Sequence, residues 1–390
     1  MKIKNITPNR IAFTGYYGMH NFGDDLFGLV CAKGAAKFWS KSQPRVLSTA
    51  IKGVDSTFFT IPSWFDRDSY ASSGRIGAGS RLMFALYEAS KSQMFILGGG
   101  SVLSSQTSGV RNFIYKTSNF TRLRFSALGI SIGPFKNIAE ERRVKEFLSC
   151  FEYISVRDLV SYQVANSFSL DCPIVMAGDL AGLMPILFDT KHKDVKGGEL
   201  VLGVSLCNYE SVIGGNKGLE KDRNRALIDA VVVVAKRFGA RVEVFSLNNH
   251  LEIGDDILAQ AICLRLKKEK IEFNLNRHVE LGVCEIWNRI SYCDAFVSVR
   301  LHGAIAAYHH NVPFTLIEYH QKCEDFLDDI GQSLNLRLSE RVVDSVEIQM
   351  VIERLFLKDS PPIMKPTSYS KRAYGHFLYA PWVTDLEYVE

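Results

Sequence analysis

Val201-Leu-Gly-Val-Ser-Leu-Cys207 is a short apolar run of strand length, and the pattern on its carboxyl side decides the fold. A helical periodicity runs from Leu219 to Phe238 and stops at Gly239, which suits the left-handed residue that closes a helix. The alternation then repeats. Strands are expected at Arg241–Ser246, Ile271–Leu275, Ala295–Val299 and Pro313–Ile317. Helices are expected between them at Asp255–Lys267, Val279–Tyr292, Leu301–His310 and Lys322–Ile330, with another at Ser345–Leu357. Apolar strands separated by helices of this length predict a parallel, doubly wound sheet.

Working back toward the start, the same rhythm reads at Ile11–Thr14, Arg45–Thr49, Met94–Leu97, Phe125–Ile130, Tyr153–Val156 and Pro173–Met176. The Gly/Ser-rich stretch Ala71-Ser-Ser-Gly-Arg-Ile-Gly-Ala-Gly-Ser80 reads as a mobile loop. The expected organisation is an α/β protein of two Rossmann-like doubly wound domains facing a cleft. Residues 1–190 form the first domain, on the acceptor side, and a polar linker spans 191–199. Residues 200–358 form the second domain, on the donor side, and a tail at 359–390 packs back across the first. With 390 residues the chain is too long for one ordinary core and suits two.

Composition narrows the function classes. Lys and Arg number 46 against 42 Asp and Glu, a net charge of +4 that is too weak and too evenly spread for a nucleic-acid surface. It leaves room for a local basic pocket meeting a small anion. Apolar runs such as Ala230–Ala235 fall far short of the roughly 20 residues a bilayer-spanning helix needs. No apolar stretch long enough for a signal peptide succeeds the basic start, so none is expected. The eight cysteines are scattered without a CxxC pair and read as reduced thiols of a cytoplasmic protein.

Ligands of open α/β sheets bind past the carboxyl ends of the strands, where helix N-termini present amides. Two matching positions stand there: Ser155-Val-Arg157-Asp158 and Ser298-Val-Arg300-Leu301. An Arg at a helix start opposes the local dipole, so an anion is the attractive partner; an ion pair with a nearby carboxylate is the alternative. His302 sits two residues after Arg300, and Gly303 permits close approach of a ligand or backbone. A helix N-terminus lowers an imidazole's basicity and a bound anion raises it, so His302 can become a proton donor when an anionic substrate arrives. His309 and His310 read as packing or surface residues.

Gly98-Gly99-Gly100-Ser101 comes after a strand and lets backbone amides reach a ligand, without matching a dinucleotide or Walker motif. Asn21-Phe-Gly-Asp24-Asp25 offers acceptors for sugar hydroxyls and a general base, or else a helix cap. Asp179, after Gly178, is similarly placed. Tyr319 and Lys322 stand past the last apolar strand of the second domain. No Cys/His/Asp cluster has metal-ligand spacing and no GxSxG occurs.

The order of these motifs resembles the polysaccharide pyruvyl transferase family. It is carried by Asn21-Phe-Gly-Asp24-Asp25, Gly98-Gly-Gly-Ser101, Gly129-Ile-Ser-Ile-Gly-Pro134 and Ser155-Val-Arg157-Asp158. Gly178-Asp179, Arg300-Leu301-His302-Gly303, Val312-Pro313 and Tyr319-His-Gln-Lys322 continue the series, so the resemblance spans about residues 11–330. It implies the two-domain B-type glycosyltransferase architecture and transfer of a pyruvyl group from phosphoenolpyruvate to a sugar, with a cyclic ketal as product. No tightly bound cofactor is implied; phosphoenolpyruvate is the donor substrate, and a carbohydrate the acceptor.

The family motif makes His302 the acid, with Asp24 or Asp25 as base or acceptor-orienting group. Arg300 with Arg157 or Lys322 is then expected to clamp the donor, lined by Leu301 and Gly303. Asn21, Gly99, Gly100, Ser101, Asp179 and Tyr319 are expected along the cleft. Acceptor choice is assigned to the stretches Ser56–Arg81 and Gln106–Thr121; Trp64, Phe65 and Tyr70 of the first can stack on sugars, although packing is the commoner fate of such residues. A lipid-linked acceptor would bring the protein to the inner face of the membrane. Two rivals remain: a nucleotide-sugar glycosyltransferase using Glu318 on a ribose, and a non-catalytic carbohydrate-binding protein.

Overall fold

The computed structural model describes residues 7–103, 116–117, 122–190, 198–210, 214–358 and 360–383. Most of the Gln106–Thr121 stretch and residues 191–197 of the expected linker lie outside them. The chain divides into two compact units. The first comprises Met1–Met19, Asp24–Leu187 and Ser370–Glu390; the second comprises His20–Gly23 and Phe188–Tyr369.

The first unit is built on six parallel strands: β1 (Arg10–Thr14), β2 (Gln43–Val46), β3 (Met94–Leu103), β4 (Arg124–Ile132), β5 (Phe151–Val156) and β6 (Ile174–Met176). Their order is β2-β1-β3-β4-β5-β6. Apart from the edge strands β2 and β6, they are buried on both faces, which is why they read as near-continuous apolar runs. Helices Phe22–Phe38, Arg75–Lys91, Ile138–Leu148 and Leu159–Ser167 accompany them.

The segment expected to be a mobile loop is instead the corner between helices Arg67–Ala71 and Arg75–Lys91. Gly77 permits that corner, because a Cβ there would lie 2.1 Å from the Ser72 carbonyl. Arg81 locks it by donating to the Ser72 carbonyl at 2.9 Å and to that of Tyr70. The glycines serve close approach rather than freedom, so composition misread them.

Ser370–Val383 supplies aromatic groups to the same unit. Trp39 Nε1 donates to the Phe377 carbonyl at 3.0 Å, and the Trp39 and Trp382 rings meet edge-on at 5.1 Å. Tyr153 donates to the Gly375 carbonyl at 2.8 Å.

The second unit carries β7 (Val201–Ser205), β8 (Arg241–Ser246), β9 (Phe273–Arg277), β10 (Ala295–Ser298), β11 (Phe314–Glu318) and β12 (Arg337–Ser339). The order is β12-β11-β10-β7-β8-β9, again all parallel. Counted from β7 this is the dinucleotide-fold order, and the direction of winding reverses between β7 and β10. The Lys217–Phe238 helix ends at Gly239 with φ 61°, the expected left-handed stop. The single helix expected over Val279–Tyr292 is broken at Gly282, φ 85°, into His278–Leu281 and Val283–Ile290. The short edge strand β12 has no apolar run long enough to announce it. Among the described residues, no helix is long and apolar enough to cross a membrane.

Candidate functional site

The reversal between β7 and β10 concentrates chemistry in the second unit. Ser205 faces Ser298 in register, and the Val299 amide continues the ladder to the Ser205 carbonyl at 2.7 Å. Two residues beyond Ser298, Arg300 is the extended N-cap of helix Leu301–His309, near Cys207, which lies two residues past the end of β7. Its Nε and Nη2 donate to Asp255 at 2.9 and 2.6 Å. The carboxylate partner that was the alternative to an anion is therefore present on one edge of the guanidinium fork. Burial raises the Asp255 carboxyl while Arg300 opposes that rise. Burial is the strongest single influence on Arg300 and works against its charge, but Asp255, Cys207 and Tyr319 together outweigh it and keep the guanidinium protonated.

His302 lies in the first turn of that helix, half-buried. Its ring occupies the space beside Gly23, where a Cβ would stand 2.0 Å from Nδ1. The segment bearing Gly23 is held by the second unit: the Phe22 amide donates to Leu247 and the Asn249 amide to His20, both at 2.8 Å. Asn21 pairs antiparallel with Asn248, and its Oδ1 accepts the Gly23 amide at 3.2 Å. Two motifs from opposite ends of the chain thus meet in one unit. Leu301 is core, at 4% exposure. Gly303 packs its helix on the sheet, since a Cβ would come within 2.8 Å of Ser298 Oγ and 3.1 Å of Leu247. Its role here is helix–strand approach.

Beyond β11, Tyr319 is buried against Tyr209, ring centroids 4.6 Å apart, and burial pushes its phenol well above the ordinary value. The Lys322 ammonium stands 5.8 Å from the Tyr319 ring, and its amide donates to His320 Nδ1 at 3.2 Å. Glu318 is held by Arg337 at 2.7 and 3.0 Å.

In the first unit the adjacent aspartates separate. Asp25 is wholly buried and accepts the Gly18 amide at 2.6 Å, fixing the turn after β1; Asp24 is half-buried. Gly98 and Gly99 leave space that protein fills: a Cβ would lie 2.3 Å from the Tyr17 hydroxyl at Gly98 and 2.4 Å from the Phe27 ring at Gly99. Gly100 has φ 87°, and β3 shifts register between it and Leu103, with Ser101 inside the shift. Gly98 and Gly99 therefore admit neighbouring aromatic side chains, where the sequence suggested room for a ligand.

Arg157 is buried with Asp158 at 3.7 Å and Asp179 at 3.5 Å. Burial raises the Asp179 carboxyl, and Arg157 opposes it. Tyr70 donates to the Leu47 carbonyl inside the core, and Phe65 meets Phe84 at 5.4 Å, whereas Trp64 is 80% exposed.

Sequence reasoning missed three residues. His376 reaches back to Ser155 Oγ and the Gly178 carbonyl, both at 2.8 Å. Asp255 reads as an ordinary helix start, and Arg223 as one charge among many on a long helix. The signal available for Asp255 was its place at the start of the helix that comes after β8 in a doubly wound sheet. Among the described residues, no three His, Cys, Asp or Glu side chains gather as metal ligands would.

These two parallel six-stranded sheets are of the B-type glycosyltransferase class, and solved structures of that class superpose on nearly the whole chain. S. aureus MnaA in complex with UDP is 13% identical, with 95% of each chain covered and a TM-score of 0.56. The Methanocaldococcus jannaschii UDP-GlcNAc 2-epimerase is 11% identical over 93% of this chain and 97% of its own, TM-score 0.54. A Rickettsia africae glycosyltransferase is 10% identical over 97% and 96%, TM-score 0.53. Likeness at this identity establishes the fold. The sequence is more particular: residues 21–321 match the polysaccharide pyruvyl transferase profile, and the chain belongs to that transferase family. No curated protein sequence matches it significantly.

Proposed function

We propose that this protein transfers the pyruvyl group of phosphoenolpyruvate to a sugar of a polysaccharide or glycan precursor, forming a cyclic ketal and releasing phosphate. The observation that carries the reading is Arg300-Leu301-His302 at the winding reversal of the second sheet, with the His302 ring set against Gly23. Family membership supports the transferase class and a carbohydrate acceptor.

In this reaction His302 delivers a proton to the enol methylene, which leaves an oxocarbenium-like carbon next to it. One sugar hydroxyl attacks that carbon, phosphate departs, and a second hydroxyl closes the ketal. Of the two hydroxyl protons released, one balances the proton given to the methylene and the other leaves with phosphate. Positioned acid catalysis of this kind contributes about 10²–10⁴-fold. Arg300 has donors left after two go to Asp255, and a guanidinium can serve two anions on different edges. Lys322 is the second cation of the donor side. Asp24, the more accessible of the aspartate pair, is the base or acceptor-orienting group. Arg157, the other cation expected on the donor side, is in ion pairs with Asp158 and Asp179; Asp179 and Asn21 are the groups proposed for the acceptor.

The nucleotide-sugar alternative would use Glu318 on a ribose, but that carboxylate is engaged by Arg337 on both oxygens. Mass spectrometry of candidate acceptor glycans after incubation with phosphoenolpyruvate is the direct test. A mass gain equal to a pyruvate ketal, with stoichiometric phosphate release, is expected. Glycosyl transfer from a UDP- or GDP-sugar in its place overturns the reading.

A further inference from the structure

The second unit buries a guanidinium that neither the fold nor the proposed chemistry has yet used. Arg223, in the second turn of the Lys217–Phe238 helix, is 1% exposed. Among the described residues its Nε and Nη2 have no hydrogen-bond partner, and its nearest carboxylate, Glu220, stands 3.9 Å away. Glu220 Oε2 instead accepts the Glu210 amide at 2.5 Å. Burying a charge with the donors of Nε and Nη2 unmet costs several kcal/mol, so packing alone does not account for an arginine here.

Its position is informative. The next residue, Asn224, donates to the Cys207 carbonyl at 3.4 Å and to Asn208 Oδ1 at 2.8 Å, which ties this helical turn to the end of β7. The register of β7 with β10 brings Arg300 to the same end. Two guanidiniums therefore act on Cys207, itself fully buried, at the point where the sheet reverses its winding. Asp255 takes up much of the Arg300 charge; Glu220 engages Arg223 less closely.

We propose that Arg223 is an electrostatic positioning residue, a fixed buried cation that makes the β7–β10 reversal an anion seat for the phosphate-bearing donor. Arg300 and the helix start touch the ligand; Arg223 acts from beneath, through the field it sets across Cys207. The thiol registers that field. Burial pushes Cys207 up to about 11, and of the charged groups acting on it Arg300 outweighs Asp255 and Arg223 outweighs Glu220. The proposal deepens the phosphoenolpyruvate reading and rests on it for the donor's identity, while the charge argument holds for any phosphate.

The experiment uses the full chain with inorganic phosphate and phosphoenolpyruvate as separate probes, following thermal stability against ligand concentration. Arg223→Met removes a loosely paired buried charge but leaves the buried Glu220 carboxylate without it, so its stability without ligand is measured first and binding is compared between folded proteins. This variant should bind phosphate about tenfold or more weakly. Arg223→Lys, which keeps the charge but not the fork, should recover most of that affinity; a purely structural arginine would show neither the loss nor the rescue. Phosphate binding equal to wild type in Arg223→Met overturns the proposal, and so does wild type that does not bind phosphate or Arg223→Lys without rescue. Should Arg223→Met not fold, Arg223→Gln takes its place, with the same loss expected and the same wild-type binding overturning the proposal. If the phosphate results hold but no acceptor gains a ketal, the charge seat stands and the pyruvyl-transfer reading falls.

Discussion

The His302 imidazole stands where a side chain on residue 23 would be: a Cβ on Gly23 would come 2.0 Å from Nδ1 and 2.5 Å from Cε1. Gly23 lies in a helix with no unusual φ, so alanine suits its backbone and only the ring must move. Gly23→Ala should therefore fold normally by circular dichroism, yet lose about 10²-fold in turnover as the acid leaves its position. Turnover within a few-fold of wild type would separate His302 from the chemistry.

Removing the two residues of the Arg-Leu-His motif should give different losses. His302→Ala should abolish ketal formation and leave phosphoenolpyruvate binding largely intact. Arg300→Ala should weaken donor binding and also destabilise the fold by about 3–5 kcal/mol, because it strands the buried Asp255 carboxylate. Adding Asp255→Asn to Arg300→Ala should return much of the stability and none of the binding. Denaturant midpoints alongside ligand titrations distinguish the two effects.

In the proposed reaction the adjacent aspartates divide between chemistry and architecture. Asp25→Asn replaces a buried carboxylate that accepts the Gly18 amide, and should cost about 1–3 kcal/mol of stability. Asp24→Asn should leave the melting temperature nearly unchanged and lower turnover instead. The reverse pattern would move the base assignment to Asp25.

Acid should loosen the first unit through His376. Burial holds this imidazole down at about 4, neutral in the fold. The Gly178 carbonyl can only accept, so Nε2 carries the proton and Nδ1 accepts from the Ser155 hydroxyl. The unfolded chain binds this proton near pH 6.5, so the contribution is complete above that value and is lost as pH falls toward 4. Burial depresses His309 in the second unit similarly, to about 3. Wild type should lose a few kcal/mol between pH 7 and 5 in urea unfolding, and His376→Gln should show a shallower slope. An unchanged slope would place the protonation elsewhere.

The doubly wound sheets were legible because parallel strands covered on both faces leave uninterrupted apolar runs, and Gly239 and Ser345–Leu357 fall where the periodicity puts them. The corner at Ala71–Ser80 was not, because glycine content cannot distinguish freedom from tight approach; only the Gly77–Ser72 contact does. Arg300 and His302 could be found from their place past a strand. Their surroundings could not: Asp255, Gly23 and Arg223 acquire meaning only when strand register sets them beside β7 and β10. Charge partners across a sheet edge have no sequence period to betray them.

The aromatic lock between Trp39 and Phe377, whose residues are 338 positions apart, has a kinetic consequence. During synthesis the unit built around Trp39 must wait, with Trp39 and the Gly34 face of its helix bare, until Phe377 has left the ribosome. The later-made sheet can assemble before the earlier one is complete. Deleting the segment from Ser370 onward would consequently harm the oldest part of the nascent protein most, yielding a half-built, chaperone-dependent species.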